Sequence, residues 1–186
     1  EPLYKESTKV EAIPLAEKVS LFATLDSLSS PIESLYPQSM EELGQAYGYL
    51  LYRTEESWDA EEERIRIIDG RDRAQLYVDG KWIATQYQTE IGEDMYCRGA
   101  ETGSSSIDIL IENMGRVNYG HKLLADTQRK GIRTGVCKDL HFLIDWKQYP
   151  LPLDHPEKID FSKEWTEGQP AFYAYDFEMD EPKDTY

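Results

Sequence analysis

Carboxylates are the most abundant reactive groups in this chain, with 36 Asp and Glu against 20 Lys and Arg. Two of them facing each other across a groove could hydrolyse a glycoside, one as acid and one as nucleophile or base. Glu112 is a candidate, but strand alternation sets it opposite an isoleucine face, and no second acid is spaced to partner it. Asp69 and Asp72 around Gly70 could ligate calcium, yet calcium needs several more oxygens, and such residues in β turns usually accept local hydrogen bonds. His121, His141 and His155 show no HxxxH or HxH spacing and have no thiolate pairs beside them, so a zinc site is not expected. Cys97 and Cys137 form no CxxC pair. Ser104, Ser105 and Ser106 lack an activating setting, and no GxSxG, P-loop or GxGxxG occurs. No cofactor is implied.

Recognition chemistry has more support. Trp58, Trp82, Trp146 and Trp165, with thirteen tyrosines, could stack on a sugar, although large aromatics in β-sandwiches mostly pack the core. Arg116, Asn118 and Tyr119 lie in a loop framed by Gly115 and Gly120. A polar and aromatic loop delivered by a stiff strand is a usual recognition device, but spacing alone favours a plain surface turn.

That loop follows a strand in which Ile107, Ile109 and Ile111 alternate with Asp108, Leu110 and Glu112, the period of a half-buried strand. Further strands are expected at Val19–Leu25, Tyr47–Thr54, around Ile65 and Ile67, and at Ala74–Val78. The Asp79-Gly80 pair signals a tight hairpin into a return strand carrying Trp82 and Ala84. Leu140–Trp146 and Tyr173–Met179 complete the set. Turns or loops are expected at 99–106 and at Gly131–Gly135. An acidic connector is expected around Trp58, from Glu55 to Glu63. Pro150, Pro152 and Pro156 should end one strand and open a linker. The only helix signal is Ser39–Ala46, where Ser39 and Glu42 could form a capping box. The chain reads as all-β.

The net charge of −16 opposes binding to nucleic acid phosphates or anionic lipid, and no apolar run is long enough for a membrane-spanning helix. Two free thiols point to a reducing compartment, so cytoplasmic is the expected localisation. Glu1 at the start and Asp184-Thr185-Tyr186 at the end suggest a piece cut from a larger protein.

The run from Ile68 to Gly80 (IDGRDRAQLYVDG), the segment Ile107–Gly120 with its ENMGRVNYG, and Tyr47–Thr54 (YGYLLYRT) resemble the accessory β region of family 35 β-galactosidases. His121–Leu143 and Gly168–Phe177 fit the bacterial branch of that family. The resemblance implies a galactose-binding-like jelly-roll β-sandwich with edge strands of a second, incomplete β domain. The implied division is 1–38 linker and second-domain strand, 39–149 jelly roll, 150–169 linker, and 170–186 first strand of the truncated second domain. It also implies that Val19–Leu25 and Phe172–Met179 lie side by side.

Enzymes of this family are retaining, and both catalytic glutamates belong to a (β/α)8 barrel whose motifs are missing here. The implied role is therefore a non-catalytic β region of a β-galactosidase. Its partners would be that barrel and, through the parent enzyme, a β-galactoside. Tyr119 would border the aglycone subsite, while Asn118, Gly115 and Gly120 hold the loop's shape. Two other readings compete with this one: an autonomous carbohydrate-binding module, and a jelly-roll hydrolase acting alone. An exposed former interface could also support a homodimer.

Overall fold

The computed structural model describes residues 11–58, 62–98 and 103–179. A short strand, β1 (Glu17–Ser20), leads into helix α1 (Leu21–Leu28) and then β2 (Ile32–Ser34). β3 (Tyr49–Trp58), β4 (Glu62–Arg71), β5 (Arg73–Val78) and β6 (Lys81–Tyr87) follow. Next come β7 (Met95–Arg98), β8 (Gly103–Glu112), β9 (Gly131–Lys138), β10 (His141–Phe142), β11 (Trp146–Leu151) and β12 (Ala171–Ala174). Among the described residues the fold is all-β apart from α1 and two short 3-10 turns.

A six-stranded sheet runs β2-β11-β3-β8-β5-β6, and a four-stranded sheet runs β10-β9-β4-β7. They share one core, in which Leu50, Tyr52, Ile107, Ile109 and Ile111 of the larger sheet meet Ile65, Ile67, Ile132 and Val136 of the smaller. The Tyr52 hydroxyl links the elements around it, donating to the Gln38 carbonyl (2.7 Å) and accepting from the Ile132 N–H (2.9 Å). Asp79 and Gly80 both have positive φ (48° and 72°), as a two-residue hairpin matching the strand twist requires.

β8 is the central strand and is buried on both faces, rather than on one. Its isoleucines fill the core between the sheets. Leu110 joins Leu51, Tyr77, Tyr149 and Leu151 on the outer face, where Leu21 and Leu25 of α1 cover them. β1 and β12 pair antiparallel over Glu17–Ser20 and Ala171–Ala174, so the two segments expected to be neighbours do meet, at Val19 opposite Phe172, but not along their whole length. Phe172 also packs on this outer cluster. Ser20 ties the layer to the connection after β11: its N–H donates to the Glu164 carbonyl (3.1 Å), and its hydroxyl accepts from the Thr166 N–H (2.7 Å).

Several local expectations are corrected. Val19–Leu25 is not one strand, because the chain turns helical at Leu21. Leu21, Leu25 and Leu28 repeat at helical spacing, a pattern that short apolar runs share with strand alternation. The Ser39–Glu42 capping box forms, with the Ser39 N–H on the Glu42 carboxylate (2.8 Å), but it caps a single turn that ends at Gly44 with φ +70°. Gly131–Gly135 belongs to β9. Gly131 has φ +84°, and a side chain there would strike the Tyr52 hydroxyl, while Gly135 lies against the Phe142 ring. These glycines serve close approach rather than a turn.

Leu140–Trp146 is likewise not continuous: β10 stops at Phe142, and β11 begins at Trp146 after Asp145 with φ +60°. Pro150 sits inside β11 opposite Leu50; β2 has already ended opposite Gln148, so one edge is open there and proline is tolerated. Glu55 and Glu56 are part of β3 and Glu62 and Glu63 part of β4, so the described parts of the acidic run are strand and Trp58 is core, while residues 59–61 lie outside the described set. β8 starts at Gly103, inside the expected 99–106 loop, whose residues 99–102 lie outside the described set. The last strand ends at Ala174, well short of Met179.

Candidate functional site

At its C-terminal end β8 delivers the chain into residues 113–130, which contain no strand and one 3-10 turn, Asp126–Gln128. Asn113 begins this loop with three bonds. Its N–H donates to the Gly48 carbonyl (3.1 Å), its side-chain amide to the Ala46 carbonyl (3.2 Å), and its side-chain oxygen accepts from the Gly115 N–H (3.0 Å). Arg116 donates from Nε to the same Ala46 carbonyl (2.8 Å) and pairs with Glu41.

Beneath the loop lies a buried ion pair. Lys130 Nζ donates to both oxygens of Asp72 (2.7 and 2.6 Å), and Asp72 Oδ2 also accepts from the Met114 N–H (2.8 Å). Beside it opens a cleft of about 670 Å³, bordered by Tyr87, Met114, Arg116 and Lys130.

The outer part of the loop projects into solvent. Tyr119 is 90% exposed and Leu124 94%, and Met114 and Leu123 are exposed too. These exposed apolar side chains all belong to one loop whose base is anchored through Asn113 and Arg116.

Most of the other candidate groups are committed elsewhere. Glu112 accepts from Arg73 Nη1 (3.0 Å) on the outer face of β8, away from the isoleucines as expected. Asp69 accepts from Thr134 and pairs with Arg133 (3.1 Å), and the Thr134 hydroxyl is the main influence holding its carboxyl below the usual range. Asp69 and Asp72 thus serve different partners. Among the described residues no three His, Cys, Asp or Glu converge as a metal site. His121 and His141 are exposed, and His155 pairs locally with Glu157. Burial pushes the Cys97 thiol up to about 12, far from a nucleophile's range. Ser105 is buried within β8. Of the tryptophans, Trp58 and Trp146 are core, Trp165 is covered by the Lys18 ammonium (3.5 Å), and Trp82 is exposed. No helix of the described residues is long and apolar enough to cross a membrane.

Glu41 and Lys130 carry no local signal. Lys130 stands in an ordinary Arg-Lys-Gly run, and its partner Asp72 is 58 positions away in the chain.

The chain is similar to known β-galactosidases. It is 35% identical to the β-galactosidase of Xanthomonas manihotis over 97% of this chain and 29% of that protein. It is 30% identical to β-galactosidase 17 of Arabidopsis thaliana over 100% of the chain and 31% of that protein. The human β-galactosidase is 29% identical over 94% of the chain and 29% of its own length. The chain thus spans about three tenths of the length of these relatives. Residues 37–152 match the family model described as the first all-beta domain of β-galactosidase, and on that match the chain belongs to the family of β-galactosidase first all-β domains.

Proposed function

We propose that this chain is the non-catalytic β region of a retaining, family 35 β-galactosidase of the bacterial branch. Residues 39–149 are its galactose-binding-like jelly roll, 150–169 a linker, and 1–38 and 170–186 the edge of a second β domain. The pairing of β1 with β12 supports that last division. A catalytic barrel in the same protein, beyond the three tenths represented here, would hydrolyse terminal β-galactosyl residues. This region would brace the barrel and border the site where the aglycone sits.

The observation that carries the reading is Tyr119, held 90% exposed on an anchored loop. A ring so exposed suits one face of a sugar, and its hydroxyl could meet a sugar hydroxyl. In a full-length enzyme carrying this region, Tyr119→Ala should lower kcat/KM for a disaccharide roughly tenfold, the equivalent of about 1.4 kcal/mol of lost stacking. An aryl galactoside, lacking the second sugar, should change less than about threefold. Equal losses on both substrates would contradict an aglycone role.

A further inference from the structure

Residues 113–130 meet the body of the domain at a ring of charges. Asp72 binds the loop's start twice: its N–H donates to the Glu112 carbonyl (3.0 Å), and its carboxylate accepts from the Met114 N–H (2.8 Å). Lys130 stands at the loop's other end. Its N–H donates to the Glu41 carboxylate (2.9 Å), and its carbonyl accepts from the Met40 N–H (2.8 Å). Glu41 in turn pairs with Arg116, inside the loop. The closing link is the Lys130–Asp72 pair, with side chains only 5% and 10% exposed.

Removing two charges from water carries a large desolvation penalty, and an apolar pair could close a loop as stably. What the ion pair adds is direction. The carboxylate fixes Lys130 Nζ and the Met114 N–H at once, so the two ends of the loop hold one relative position. Between those anchors, backbone bonds are confined to short turns such as the Leu123 N–H to the Gly120 carbonyl (3.2 Å). The loop's path is therefore set at its base.

From this geometry we infer that Asp72 and Lys130 are positioning residues: their buried pair fixes residues 113–120 and so sets where Tyr119 meets the aglycone. The inference rests on the reading of Tyr119 given above. Neither residue touches substrate.

The test pairs Asp72→Ala with Lys130→Met, which removes both charges together and leaves no lone buried ion. In this chain, amide exchange over residues 113–117 should rise at least about tenfold, while the core of β8 (107–111) stays protected. In the full-length enzyme the double variant should lose disaccharide kcat/KM about as strongly as Tyr119→Ala and spare the aryl galactoside. Adding Tyr119→Ala to it should cost little more, because the groups act in series. Unchanged loop exchange in a folded double variant overturns the inference, as does a fully additive loss on combining the changes. Should the β8 core lose protection as well, the milder double variant Asp72→Asn with Lys130→Met, which removes both charges and keeps the side-chain volume at 72, carries the test. It must raise loop exchange with the core intact and reduce disaccharide selectivity, and if it does neither the inference fails. If Tyr119→Ala alone leaves selectivity unchanged, the aglycone reading fails, and the exchange result still decides whether the pair positions the loop.

Discussion

Replacing Trp146 with alanine is expected to destabilise the domain by about 3–5 kcal/mol, the range for an aromatic side chain removed from a packed core. Trp146 opens β11 and is fully buried in the core between the sheets. Its ring meets Tyr52 edge-on, with centroids 6.3 Å apart and planes at 85°. Its indole N–H donates to the Leu143 carbonyl (3.0 Å), so truncation also leaves that buried acceptor without its donor. Tyr52 in turn holds Gln38 and Ile132, so loosening its ring weakens the contact between sheets. Small domains have roughly 5–15 kcal/mol of stability in total, and the loss would be a large share of it. Urea unfolding followed by circular dichroism measures the effect. A loss below about 1 kcal/mol would mean that the core does not rest on this residue.

Arg53 neighbours Tyr52 on β3 but points to the opposite face, and its replacement tests the outer layer instead. Its Nε donates to Asp108 (2.6 Å), whose side chain is 2% exposed, and its guanidinium lies over the Phe22 ring of α1 at 5.6 Å. Arg53→Met keeps the aliphatic stem and strips Asp108 of its cation. Breaking a fully buried pair costs about 3–5 kcal/mol, and partial exposure of Arg53 reduces the expectation here to about 2–4. The loss should depend on pH. Burial pushes the Asp108 carboxyl above its ordinary value of 3.8, while Arg53 pulls it down.

A carboxyl with a raised folded value binds its proton more tightly in the native state than in the unfolded chain. Its contribution to stability therefore falls as pH rises from the ordinary value through the raised one. Without Arg53 the folded value climbs further and that window widens. The deficit of Arg53→Met relative to the parent should thus be largest at about pH 7 and shrink toward about pH 4.5. Unfolding curves at both values check this. A deficit unchanged between them would show that Asp108 does not depend on Arg53 for its charge.

Where one rule dominated locally, the sequence was legible. The alternation of Ile107, Ile109 and Ile111 gave β8, and Asp79-Gly80 gave the hairpin into β6. Harder cases arose where two patterns coincide or where the cause is distant. Leu21 and Leu25 satisfy helical and strand spacing at once, and packing onto Leu51 and Tyr149 selects the helix. Gly131 reads as a turn residue because the Tyr52 hydroxyl that excludes a side chain there is far away in sequence. The same holds for the candidate site. Tyr119 was singled out by the family resemblance of its loop, since spacing alone read as a surface turn, whereas Lys130 and Glu41, which anchor that loop, gain meaning only when the fold brings them to Asp72 and Arg116.

In the proposed function this region contributes a surface to β-galactoside hydrolysis and no bond chemistry. Incubating the purified chain alone with a chromogenic aryl β-galactoside tests it most directly. No release of the aryl alcohol above the buffer rate is expected. Sustained turnover that survives repurification of the chain would contradict it.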